Sequence, residues 1–169
     1  MLPKLNKILY ATDIGPGAPY VVRYALSLAH QYQGQIHVVH AMEPLSPFGQ
    51  SLVELHISHN QSEAMHQAAR EKARARLNDR IDRLIEGETT SIPEGRALIA
   101  SVEVIEGFPA PTILAQAKKL AVDVIVIGTH RHTALGEALL GSTARKVLHG
   151  SAIPVLLTRI PDGFREEGY

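Results

Sequence analysis

Two hydrophobic rhythms alternate along this chain: short β-branched runs, and longer stretches whose apolar residues recur every three or four positions. Lys7 to Thr12, KILYAT, reads as a strand that stops at Asp13. The IGPGAP that follows is turn chemistry, with Pro19 suited to the first turn of a helix. From about Tyr20 to Gln33 the residues Val21, Val22, Ala25, Leu26, Leu28 and Ala29 cover one broad face, and Gly34 is placed to end the helix. Gln35 to Met42, QIHVVHAM, is a second strand. A strand, a helix and a strand in so few residues form a βαβ unit with parallel pairing and a right-handed crossover.

Glu43 to Gln61 loses periodicity, and Pro44, Ser46, Pro47 and Gly49 predict a loop. Ser62 to Ile85 then carries Met65, Ala69, Ala73, Leu77, Ile81 and Leu84 at helical spacing, with a mixed-charge opposite face that reads as solvated. After a loop over Gly87 to Arg96, Ser101 to Glu106 alternates as a third strand near a sheet edge. Gly107, Pro109 and Pro111 open a helix with Ile113, Leu114, Ala117 and Leu120 on one face. Val122 to Ile127, interrupted only by Asp123, suits a central parallel strand ended by Gly128. A loop carrying Gly136 and Gly141 leads to Ser142 and Thr143, which stand where an N-cap belongs, and Ala144 to His149 read as a helix closed by Gly150. Ile153 to Thr158 is the last strand, and Pro161 to Tyr169 reads as a short frayed tail. Five strands alternating with four helices specify a single open, doubly wound α/β sheet over residues 1–160.

Composition narrows the function classes. Seventeen basic residues balance seventeen acidic ones, so nothing calls for nucleic acid or an anionic membrane as partner. The absence of Cys excludes a disulfide framework, a thiolate metal site and a thiol nucleophile, and agrees with a reducing compartment. With no apolar leader before the first strand and no run of transmembrane length, a cytoplasmic protein is expected. The chain has nine histidines. His56, His59 and His66 lie close in sequence but lack a Cys or an evident carboxylate partner, so no metal site is assigned. His37 and His40, on opposite faces of one strand, take structural roles.

Candidate chemistry gathers at the carboxyl ends of the strands, where doubly wound sheets bind ligands. Asp13 follows the first strand and Gly128 the fourth, so both border one crevice if those strands are neighbours. The helix after Gly141 turns its positive end toward that crevice, where free N–H groups favour an anion, and the Ser142 hydroxyl adds a further donor. His130 and His132 flank Arg131 in the same loop and read as phosphate or solvent contacts. No Gly-Lys-Ser or Gly-Lys-Thr occurs, so phosphoryl-transfer catalysis is not assigned beyond slow hydrolysis of a bound nucleotide.

These segments together resemble the universal stress proteins. KILYATD is similar to that family's opening strand and aspartate, VVHAMEP to its second strand, GFPAPTIL to its Gly-x-Pro turn before a helix, and VIVIGTHRHTALGEALLGSTARKVLHGSAIPVLL to its final unit. The resemblance implies strand order 3-2-1-4-5, a homodimer paired through the edge strand Ile153 to Thr158, and a regulatory stress-response role with ATP, ADP or AMP as ligand, with or without Mg²⁺. It places Asp13 on the base or ribose, Ala41 at the base through its backbone, and Gly128, Gly141 and Ser142 on ribose and phosphates. Ala11, Thr12, Thr129, His130, Arg131 and Thr143 adjoin them and complete the expected binding set. The family's nucleotide motif is Gly-x2-Gly-x9-Gly followed by Ser or Thr, and here its second glycine is Arg131. A Cβ there either costs on the order of 1 kcal/mol or blocks the phosphate, whereas a guanidinium can pair with phosphate oxygens from the side. The alternative function is therefore a dimerising interaction module of the same family that no longer binds nucleotide.

Overall fold

A computed structural model describes residues 2–88, 90–129 and 140–166. Five parallel strands form one sheet in the order β3-β2-β1-β4-β5, as the resemblance implies. They are β1 (Lys7–Ala11), β2 (Gln35–Met42), β3 (Ile99–Glu106), β4 (Val124–Thr129) and β5 (Val155–Arg159). Helices α1 (Ala18–Tyr32) and α3 (His59–Gly87) pack on one face, and α4 (Pro109–Leu120) and α5 (Ser142–Gly150) on the other. A short α2 (Pro47–Glu54) precedes α3, and a 3-10 turn at Gly95–Leu98 precedes β3.

The β-branched run of β4 explains its central place. Val124 and Val126 enter the core beneath α1 and α3, while Ile125 and Ile127 enter the core beneath α4 and α5. A strand buried on both faces needs apolar residues at every position. At its amino end Asp123 accepts hydrogen bonds from the amides of Asn6 and Lys7, at 2.7 and 2.8 Å, and its own amide reaches the Lys7 carbonyl. This one polar residue in an apolar run pins the register of β1 against β4.

Several boundaries differ from the sequence reading, each for a physical reason. Gly34 does not terminate α1; Gln33 takes the left-handed conformation there, with φ 52°. Gly34 is instead where backbones meet, since a Cβ would lie 2.7 Å from the Leu5 carbonyl oxygen and 2.9 Å from that of Asn6. Gly128 does not end β4, which runs on to Thr129. The segment read as a loop over Glu43 to Gln61 contains α2, capped by Ser46 accepting from the Gly49 amide, and the start of α3, where Ser58 and Gln61 form a capping box. Only Leu77, Ile81, Leu84 and Ile85 of the α3 stripe are buried with the core; Met65 is 60% exposed and Ala69 is also exposed. The tail is not free of the fold as far as Glu166. Phe164 meets Tyr20 edge-on at 5.2 Å, and Glu166 grips Arg23, whose guanidinium also bonds Glu88.

His37 bonds Ser101 at 2.9 Å across β2 and β3, and burial, then the nearby Lys7 charge, push its pKa below the ordinary imidazole value. The fold thus favours neutral His37, so its contribution is complete above about pH 6.5 and declines as acid protonates the unfolded chain. His37→Gln is expected to flatten the fall in melting temperature as the pH drops below about 6.5. A slope identical to the parent's would contradict this. Glu54 and Glu94, lowered chiefly by hydrogen bonds from Gln50 and from the Glu94 backbone respectively, lose their contributions only at lower pH.

Among the described residues, no helix is long and apolar enough to cross a membrane.

Candidate functional site

β1 and β4 are direct neighbours, with Ala11 opposite Ile127, so the chain leaves both at the same point on the sheet's carboxyl edge. α5 begins beside it. Neither Ser142 nor Thr143 is its N-cap, as the sequence suggested; Gly141 holds that position and the helix start has no side-chain cap. Ser142 and Thr143 therefore sit in the first turn, where backbone N–H groups have no helical acceptor. A cavity of about 270 Å³ opens between these parts.

Most of the expected site residues meet there. Ala11, Thr12 and Asp13 come from the end of β1, Ala41 from β2, Gly128 from β4, and Gly141, Ser142 and Thr143 from the start of α5. Thr129 lies beside them, 8% exposed, and its hydroxyl has no hydrogen-bond partner among the described residues. His130 and Arg131, with His132, lie outside the described residues.

Sequence reasoning missed the apolar wall and one imidazole. Val39, Ile113, Ile127 and Ile160 give the cavity a largely hydrocarbon lining, suited to a planar base, while the polar groups cluster at Asp13 and at the α5 end. His40, read as structural, also lines it. Its Nδ1 lies 2.8 Å from the Thr12 carbonyl oxygen. A carbonyl only accepts, so Nδ1 carries the proton in this bond and Nε2 is left for other contacts. The available signal was adjacency: His40 sits one residue before Ala41 at the carboxyl end of β2, which the resemblance had already placed at the crevice.

Ile160 was invisible for a different reason, because its partners are glycines. A Cβ on Gly17 would lie 2.7 Å from Ile160 Cδ1, and one on Gly128 would lie 3.2 Å from that atom and 2.7 Å from Val21 Cγ2. Gly128 thus lets α1 and the residue after β5 close over β4, in addition to bordering the cavity.

The turn between β1 and α1 is held unusually firmly. Thr12 Oγ1 accepts from the Ile14 amide at 3.1 Å, and Asp13 Oδ1 accepts from the Gly15 amide at 2.8 Å. Between them Ile14 has φ 60°, a left-handed conformation that costs a β-branched residue about 1–2 kcal/mol. From α3 the Arg80 guanidinium donates to the Ile14 carbonyl, and the buried Tyr10 hydroxyl donates to the Ala18 carbonyl at 3.1 Å. Asp13 reaches the crevice from this turn.

Two of the three histidines that lie close in sequence stand beside carboxylates. His59 lies 3.1 Å from Glu54, and His66 lies near Glu106, which Arg70 also bonds. Among the described residues no three His, Asp or Glu side chains gather closely enough to hold an ion.

The sheet is open, parallel and doubly wound, and its cavity lies at the carboxyl edge between β1 and β4, where the strand order reverses. Residues 4–159 match the Universal stress protein family, and the chain belongs to that family. It is 29% identical over 158 residues to universal stress protein A homolog 2 of Coxiella burnetii, covering 92% of this chain and 95% of that one. Its fold is similar to that of the universal stress protein UspA from Lactobacillus plantarum, with a TM-score of 0.66 at 21% identity, covering 92% and 99% of the two chains. A universal stress protein solved in complex with cAMP gives a TM-score of 0.61 at 18% identity, covering 94% and 99%.

Proposed function

We propose that this protein binds an adenine nucleotide, ATP, ADP or AMP, in the crevice between β1 and β4, and acts as a regulatory protein of the stress response in the cytoplasm. The observation that carries the reading is the meeting of Asp13, Ala41, Gly128, Gly141 and Ser142 around one cavity. An apolar slot accepts the base, a carboxylate accepts hydrogen bonds from the nucleoside hydroxyls, and an uncapped helix end receives phosphate. The fold shared with a family member in complex with cAMP supports the same class of ligand. β5 pairs only with β4 among the described strands, and its half-buried Val155, Leu156 and Leu157 give a second copy reason to add a strand there.

The second reading, an interaction module without nucleotide, rests on Arg131 standing in place of the family glycine. Calorimetric titration of the parent and of Arg131→Gly with AMP, ADP and ATP separates the two. Binding by the parent, with loss or little change on Arg131→Gly, is expected. Binding only after Arg131→Gly supports the module, and no binding by either protein up to about 1 mM overturns the nucleotide reading.

A further inference from the structure

The β1–α1 turn is bonded to α3, a helix that contributes no residue to the cavity lining. Asp13 stands in the turn next to Ile14, and Ile14 adopts a backbone conformation that β-branched residues avoid. Strain of this kind persists only where the surroundings over-determine it. Two of the restraints are local, the Thr12 and Asp13 side chains accepting from the amides of Ile14 and Gly15. The third is distant, since the guanidinium on the Ile14 carbonyl belongs to Arg80, which is half-buried on α3. Arg80 is placed by the one stretch of α3 that is anchored in the core, between fully buried Leu77 and Ile81. Earlier in the helix the apolar stripe is exposed at Met65 and Ala69. The contact therefore ties the turn to a rigid point.

We infer that Arg80 is a positioning residue for the nucleotide site: by holding the Ile14 carbonyl it fixes the left-handed turn that presents Asp13 to the crevice, and it links occupancy of the crevice to the docking of α3. This rests on the nucleotide reading above. Without the guanidinium, Ile14 relaxes toward negative φ, the peptide planes on either side rotate, and Asp13 leaves the wall. Linkage is reciprocal, so a ligand that favours the ordered turn also favours the Arg80 contact and the docked segment of α3 around Leu77 to Ile85. α3 is then the element through which the bound state becomes visible on the far side of α1.

The test is a double-mutant cycle read by ADP titration, in the parent, Arg80→Met, Ile14→Asn and the double variant. Asn accepts the left-handed conformation far more readily than Ile, so it removes the need for the restraint. Arg80→Met is expected to weaken ADP binding about 10-fold, and the same change in the Ile14→Asn background to weaken it no more than about 3-fold. Arg80→Lys, which keeps a charged donor at the position, is expected to fall between and serves as the variant of record if Arg80→Met does not fold. Hydrogen exchange gives the second readout: ADP is expected to protect amides of residues 77–85 in the parent and not in Arg80→Met. A merely structural Arg80 would lower stability without that difference. Equal ADP affinity in parent and Arg80→Met, or an undiminished penalty in the Asn background, overturns the inference while leaving the site intact. A parent that binds no ADP overturns the nucleotide reading itself, and this inference with it.

Discussion

Ser142→Glu is expected to reduce adenine nucleotide affinity by about 100-fold or more while leaving the melting temperature unchanged or slightly raised. Ser142 is the first residue of α5, so a carboxylate there sits among N–H groups that otherwise await an anion. For the helix alone the change is favourable, worth about 0.3–1 kcal/mol, because negative charge near a helix N-terminus opposes the macrodipole. For the ligand it is adverse twice over. The new carboxylate occupies the donors that phosphate would use, and at about 4 Å in partly screened surroundings it repels a phosphate charge by about 4 kcal/mol. Opposite signs for stability and affinity make this substitution more informative than Ser142→Ala, in which both effects are small. Calorimetry with ADP, alongside thermal melting, checks it. Unchanged affinity would place the phosphates elsewhere.

Ile81→Ala is expected to cost about 2–5 kcal/mol of stability, whereas Met65→Ala on the same helix changes stability by no more than about 0.5 kcal/mol. Both residues belong to one apolar stripe in sequence. Ile81 is wholly buried in the core shared by α1, α3 and the sheet, with Leu77, Leu84 and Ile85 around it, but Met65 is 60% exposed. Denaturant unfolding of the two variants measures the contrast. Similar losses would mean that the exposed end of α3 is buried in solution, against a second copy or another surface of the chain.

That contrast also shows how far sequence patterning reaches. The period of the α3 stripe identified a helix correctly, yet periodicity says only which residues share a face, and the neighbour that buries the face is a tertiary fact. The central strands were readable because β1 and β4 are covered on both sides, so nearly every position had to be apolar. Their order came from the family resemblance, since no local signal in a parallel sheet states which strand is next to which. α2 was hidden by Pro44 and Pro47, although the start of α3 was signalled by Ser58 and Gln61 at capping-box spacing. The candidate site was legible where it rests on motif glycines and Asp13. It was not legible at His40, Ile160, Ile14 or Arg80, whose roles depend on contacts between segments far apart in the chain. Gln33 and Ala121 belong with Ile14 here: all three adopt positive φ without the glycine or asparagine that normally announces it.

The most direct measurement is a crystal structure of the protein equilibrated with ADP. The adenine is expected in the apolar slot beside Asp13 and Ala41, with the phosphates against Gly141 and the first amides of α5. ADP bound at any other place on the molecule, or a crevice filled by the Arg131 side chain with no nucleotide in it, would contradict the account.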